Sequence, residues 1–451
     1  MRFHLVRSLA LAAALAVGAG ASAQSSKPGT FPYEMQIEKL PNGLQVVIIP
    51  LPESGLMAYY TLVRVGSRNE VEKGKSGFAH FFEHMMFRGT KQYPAEVRDA
   101  FLKRIGADDN GFTTDDFTCY TVFGANTQMD ELVKIEADRF KNLDYSRTQF
   151  KTEAGAVLGE YNKNFSRPTE QMEEKLVAAA FTQHTYRHTT IGFKEDIEAM
   201  PKAYDYSRQF FKRWYTPDNT TLVIAGDVEP SETLALVKKY YTDWKGKTAE
   251  VKILPEPQQT KERRVDMKWD TETSPRMLIA YHTPAQDLSK KDAAVQDVLG
   301  SLLLGQASKL TRELVLEKGI VEDLSNASFD HRDPHLFYFL VTLKEEKDRA
   351  AGFSAIEAEI ASMAAGKVDE KLLADVKSRA KYGVLTSLET PEDVASTVAI
   401  TAGASGDPRA IEKLLAQLES VTAADVSAFA KKYLVQENRT VVNLASKGDA
   451  K

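Results

Sequence analysis

The 451-residue chain has a single cysteine, Cys119, which excludes an intrachain disulfide and any zinc cluster built on several thiolates. An excess of one charge is also missing. The 58 Lys and Arg stand against 63 Asp and Glu, for a formal net charge of −5, and that balance gives no electrostatic footing for nucleic acid. Histidine is scarce, with eight residues, so a metal site has to combine a few imidazoles with carboxylates. Past the first residues, no apolar run reaches the ~20 residues of a membrane-spanning helix. What remains is 43% hydrophobic and 27% charged, an ordinary soluble-globular composition. At this length, division into two or more domains is expected.

Residues 1–23 carry a basic start (Arg2, Arg7), an apolar run from Leu9 to Val17 and the small residues Ala21-Ser22-Ala23. This pattern reads as a secretory signal peptide cleaved before Gln24. The expected product is soluble and exported to the periplasm, with no membrane span after cleavage. Two similar halves follow it. Phe210 to Trp214 and then Asn219 to Val223 are echoed by Phe429 to Tyr433 and then Asn438 to Val442, at an offset of 219 residues. Each copy reads as a helix end, a turn and a strand, and a period this long points to a duplicated domain and not to a solenoid. Strands are predicted at Leu44 to Ile49, Tyr59 to Val65 and Met277 to His282, and helices at Asp130 to Asn142, Leu234 to Trp244, Lys290 to Leu304 and Asp348 to Met363. The segment 245–261, with Pro255 and Pro257 among polar residues, reads as a linker between domains at 24–244 and 262–451.

The chemistry is concentrated in Gly77-Phe78-Ala79-His80-Phe81-Phe82-Glu83-His84-Met85-Met86-Phe87. On a helix, His80 and His84 stand one turn apart on the same face with Glu83 beside them. Two such imidazoles can bind one zinc ion, leaving the carboxylate to accept a proton. The alternative is a pair of hydrogen-bonded core histidines, but three ionisable groups within five otherwise apolar positions are costly to bury without an ion. A third ligand has to come from elsewhere. Phe150 to Tyr161 reads as a helix with Glu153 and Glu160 seven residues apart on one face. Spacing alone leaves open which of them would ligate and which would support a histidine.

The His80, Glu83, His84 motif, followed 75 residues later by this glutamate-bearing helix, resembles the pitrilysin family of zinc peptidases, which includes insulin-degrading enzyme and the mitochondrial processing peptidase. Arg88-Gly89-Thr90 after the motif fits that resemblance, as do His184, Tyr186, Gly192 and Trp214 to Asp227. The resemblance implies one Zn²⁺ per chain held by His80, His84 and Glu160, with Glu83 as general base and Glu153 behind the ligands. It implies an α+β fold of two similar α/β sandwich domains forming one side of a clam-like shell, and peptides or unfolded segments as substrates. Asn110 to Tyr120 looks like the family's substrate-binding edge strand, with Gly111 where alanine is usual, and the resemblance implies Asn110, Gly111, Phe112 and Thr113 as substrate-binding residues.

The second half departs from the family pattern. Its Lys290 to Leu304 helix has no histidine and is read as degenerate. The family's non-metal half carries an Arg and a Tyr after a Gly-x-x-Ser-(Arg/Lys)-Leu segment, here Gly305 to Leu310, yet Val315 and Glu322 fall at those positions. The expectation is therefore a heterodimer in which a related subunit supplies the Arg and Tyr. The other function consistent with the fold is a non-catalytic peptide-binding or scaffold subunit.

Overall fold

The computed structural model describes residues 31–327 and 330–446. The expected signal segment, 1–23, lies outside them. Strands form where β-branched and aromatic residues run between turns. The first sheet contains β1 (Gln36–Lys39), β2 (Gln45–Pro50), β3 (Leu56–Val63), β4 (Asp108–Thr113), β5 (Thr118–Ala125) and β6 (Thr220–Gly226), in the order β1-β2-β6-β3-β5-β4. The second contains β7 (Arg263–Trp269), β8 (Arg276–Thr283), β9 (Val321–Ala327), β10 (His335–Leu343) and β11 (Arg439–Ser446), in the order β7-β11-β8-β10-β9.

The two sheets share one topology. In the first, β2 runs parallel to β6, and β6-β3-β5-β4 continue antiparallel. In the second, β7 runs parallel to β11, and β11-β8-β10-β9 continue antiparallel. The helices Tyr204–Trp214 and Ala423–Tyr433 begin 219 residues apart, as do β6 and β11, the offset seen in the sequence. Among the described residues, only β1 has no counterpart. All seven residues of β6 are buried, because helices cover both faces of the sheet and its strand is apolar without alternation.

One face of the first sheet packs on the helices Phe78–Met85, Met129–Asn142, Tyr204–Trp214 and Pro230–Tyr241. The opposite face is covered from the second half. Val394, Val398 and Ala399 of the helix Pro391–Ser405 join Ala58, Tyr60 and Val223 in one apolar cluster. The exchange is reciprocal. Met172, Leu176 and Val177 of the helix Pro168–Ala180 pack with Leu278, Ala280 and Val442 of the second sheet. Close approach is needed where Pro391–Ser405 meets the β4–β5 turn: a Cβ on Gly403 would lie 2.4 Å from the Phe117 ring. The halves are thus joined by buried apolar surface as well as by the chain between them.

That connecting chain has no regular secondary structure from Trp244 to Thr260 but is pinned along its length. Thr248 donates its backbone N–H to Asp218. The Glu256 carboxylate accepts the N–H groups of Thr182, Gln183 and His184, and Gln259 donates to the Arg439 carbonyl. Among the described residues, no helix is long and apolar enough to cross a membrane.

Candidate metal centre

The helix Phe78–Met85 is set by an aromatic bed. Phe82 stacks on Phe210 with ring centroids 5.4 Å apart, and Phe81 meets Phe150 edge-on at 5.0 Å. Its N-terminus is held by buried Glu70, whose two carboxylate oxygens accept the N–H groups of Gly77 and Ala79 at 2.7 Å each. Carboxyl oxygens there satisfy donors that have no partner inside the helix, while burial pushes the Glu70 pKa up to about 8. The four-residue spacing then brings His80 and His84 side by side, with ring centroids 4.8 Å apart.

The helix Arg147–Phe165 supplies the carboxylates. A capping box between Ser146 and Gln149 starts it, and buried Phe150, Ala154, Val157 and Tyr161 anchor one face. Glu153 and Glu160 are two turns apart and take different places. Glu160 Oε2 lies 3.3 Å from His84 Nε2 and 3.7 Å from His80 Nε2. Glu153 Oε1 lies 2.9 Å from the other nitrogen of His84, Nδ1, while its Oε2 accepts from Arg88 Nε at 2.6 Å. One atom each of His80, His84 and Glu160 falls within 4.8 Å of the others. Two imidazole nitrogens and a carboxylate oxygen at these separations suit an ion with bonds of ~2.0–2.2 Å to each, so the residues present fit zinc.

The electrostatics among these side chains are lopsided. Burial lowers the His80 pKa. Burial opposes the charge on His84 too, but hydrogen bonds to Glu153 and Glu160 outweigh it and raise the group to about 9. The hydrogen bond with His84 holds Glu160 down at about 2. Glu153, although buried, is kept below the usual carboxylate range by His84 and Arg88. A metal held here would compete with a proton for His84.

Glu83 is half-buried beside the imidazoles, and its Oε2 accepts a hydrogen bond from Thr113 Oγ1 at 2.6 Å. The stretch Asn110 to Tyr120 is not one strand as expected. It folds as the end of β4, a turn at Thr114–Phe117, and the start of β5. Thr114 closes the turn by accepting the Asp116 and Phe117 N–H groups on its hydroxyl, while Asp115 and Asp116 are drawn inward by Ser67 and Tyr186. Asn110, Gly111, Phe112 and Thr113 remain at the edge, because β4 ends the sheet order and, among the described residues, pairs only with β5. A Cβ on Gly111 would sit 3.1 Å from Glu83 Cγ, so the glycine gives the Glu83 side chain room that alanine would narrow.

Glu70 and the hydroxyl of Thr113 are the contributions that residue patterns did not bring out. Glu70 sits in a loop eight residues before Phe78, the first residue of the helix it caps, at no recognised capping position. Threonine in a strand reads as β-propensity. In the second half, the helix Asp292–Leu304 occupies the place equivalent to the histidine helix. Val315 lies in the helical segment Thr311–Glu317 and packs against the second core, and Glu322 lies on β9.

Two profiles of one family match the chain: Insulinase (Peptidase family M16) over residues 55–193 and the Peptidase M16 inactive domain over 203–380. A zinc protease of Helicobacter pylori, PqqE, is 29% identical over 405 residues, covering 88% of this chain and 89% of that protein. The crystal structure of a protease from Helicobacter pylori superposes with a TM-score of 0.85 at 27% identity, over 91% of this chain and 99% of that one. The periplasmic protease PqqL of Escherichia coli gives a TM-score of 0.75 at 20% identity over 92% of this chain, but the match spans only 48% of the PqqL chain.

Proposed function

Because this chain belongs to the pitrilysin, or M16, family of peptidases, we propose that it is an exported zinc metalloendopeptidase subunit that hydrolyses peptides or unfolded segments. The observation that carries this reading is the convergence of Glu160 Oε2 on the Nε2 atoms of His84 and His80, with Glu153 on the far nitrogen of His84. His80, His84 and Glu160 would hold one zinc ion. When bound, zinc supplies a Lewis acid that makes water a nucleophile near neutral pH and polarises a carbonyl. Glu83 accepts the proton of the attacking water and returns it to the leaving amine, and the Thr113 hydroxyl fixes which way its carboxylate points. Glu153 keeps a proton on His84 Nδ1, so Nε2 presents its lone pair to the metal. The free edge of β4 at Asn110 to Thr113 holds the substrate backbone by main-chain hydrogen bonds, which limits turnover to extended segments.

A related subunit would complete the site. Val315 and Glu322 stand where the family resemblance asks for an Arg and a Tyr, and donors aimed at the developing oxyanion can be worth about 3 kcal/mol. The length relation to PqqL supports pairing, because that single chain is about twice the span of this one. Export rests on the signal-like residues 1–23 and on the periplasmic location of PqqL.

The test uses the chain from Gln24 onward, assayed with a mixed peptide substrate alone and with proteins that co-purify from its native extract. The expected outcome is zinc-dependent hydrolysis that rises when the partner is added and disappears in Glu83→Gln while metal is retained. Undiminished hydrolysis by Glu83→Gln refutes the assigned base, and full activity of the isolated chain removes the need for a partner.

A further inference from the structure

The described residues hold seven histidines, and four of them gather away from the centre above, where the β4–β5 turn of the first half meets the entry to β10 in the second. His184 and Tyr186 come from the first half, and His282, His331 and His335 from the second. The rings of His331 and His335 stack with centroids 3.7 Å apart, and both residues are more than nine-tenths buried. Asp115 faces them. Its Oδ1 accepts from Ser67 Oγ at 2.7 Å, which leaves Oδ2 at 3.7 Å from His335 Nε2 and 3.9 Å from His331 Nδ1. Those separations are too long for hydrogen bonds. They suit three donors arranged around an ion, since two atoms bound to one zinc at ~2.0–2.2 Å stand apart by up to about twice that length.

One atom each of Asp115, His331 and His335 lies within 4.8 Å of the others, the same condition met by His80, His84 and Glu160. A cavity of about 170 Å³, lined in part by Asp115, Glu173, Tyr186 and His335, gives an ion room and a path. His335 Nδ1, on the far side of its ring, makes no close hydrogen bond among the described residues, and Nε2 is the nitrogen that faces Asp115. The Asp116 carboxylate lies 3.2 Å from His331 Nδ1 and also accepts the Arg332 N–H. It can take the proton that a metal displaces from that imidazole, or close the coordination shell.

We propose that Asp115, His331 and His335 form a second divalent-metal site of the zinc class, distinct from the His80–His84–Glu160 centre, which clamps the β4–β5 turn of the first half to the second half. Asp115 lies two residues beyond Thr113, so the clamp fixes the end of β4 that carries Asn110 to Thr113. The existence of the site does not depend on the peptidase reading; only its consequence for substrate binding does.

The experiment counts zinc. The chain from Gln24 onward is loaded with Zn²⁺, freed of excess metal and analysed for equivalents bound, as wild type, as the double variant His80→Ala/His84→Ala, and as Asp115→Asn and His335→Gln. The expected counts are two for wild type and one for each of the others, with thermal melting and far-ultraviolet dichroism showing that the variants are folded. Asp115→Asn keeps the acceptor for Ser67, so it reports the loss of metal if His335→Gln fails to fold. No zinc in the double variant, or an unchanged count in both Asp115→Asn and His335→Gln, overturns the second site and leaves the first intact. One equivalent in both wild type and the double variant, absent in Asp115→Asn, supports the second site and removes the first.

Discussion

Replacing Glu160 by glutamine is the sharpest test of the proposed zinc centre. The carboxylate oxygen lies 3.3 and 3.7 Å from the two Nε2 atoms, so the change removes the negative ligand and places an amide in its stead. Losing partners that only support ligands costs 10–100-fold in metal affinity, and losing a ligand should cost at least 100-fold. At a zinc concentration about 100 times the wild-type Kd, binding stabilises the fold by about 2.7 kcal/mol. A 100-fold weaker site at that concentration contributes only about 0.4 kcal/mol by the same relation. The difference of about 2.3 kcal/mol corresponds to roughly 5–9 °C in melting temperature for a unit of this size. The assay is the zinc-dependent shift in Tm of the variant subtracted from that of wild type; an ion bound elsewhere contributes to both and cancels. Without zinc the two proteins should melt within about 2 °C of each other, because the Glu160 side chain is 39% exposed and its pairing with His84 is screened. The sign also follows. The depressed pKa of Glu160, about 2, makes its metal-free contribution present above the ordinary carboxylate pKa and lost as pH falls toward 2. An equal zinc-dependent shift in both proteins would refute the assignment of Glu160.

Glu153→Gln should weaken zinc 10–100-fold in competition with a chromophoric chelator, because it loosens the partner of His84 Nδ1; wild-type affinity would reject that role. Thr113→Val removes the donor to Glu83 Oε2 and should lower kcat about 10-fold with zinc content unchanged, on the scale of one hydrogen bond to a charged group. Unaltered kcat would show that the hydroxyl does not orient the base. Gly403→Val forces a side chain against Phe117 and should destabilise the protein by about 1–3 kcal/mol, read as a lower melting temperature. An unshifted melt would mean that Pro391–Ser405 does not lie on the first sheet as described.

These tests separate features that residue order makes legible from those that only packing decides. His80, Glu83 and His84 were readable because a helix turns residue spacing directly into a shared face, and the 219-residue echo was readable because each copy repeats both its turn and its strand. The choice between Glu153 and Glu160 was not readable from spacing, since residues seven apart share one face and differ only in which side of His84 they reach. The β4–β5 turn was missed for a related reason. Thr113-Thr114-Asp115-Asp116 offers turn-forming residue types, but neither Gly nor Pro marks a break between Thr113 and Tyr120, and the turn is made by Thr114 and by partners distant in sequence, Ser67 and Tyr186. The exchange of helices between the halves was hidden more deeply. An apolar stripe on Pro168–Ala180 or Pro391–Ser405 states that one face must be buried, but not against which of two similar sheets. With the sheets built to one topology, small differences of surface decide the partner, and the glycine at 403 against Phe117 is one such difference. That exchange brings the halves together beside the candidate site: the strand next to Glu83 ends in a turn held by residues of both halves, with Asp116 bound to His331 and Arg332 and Phe117 packed on Gly403.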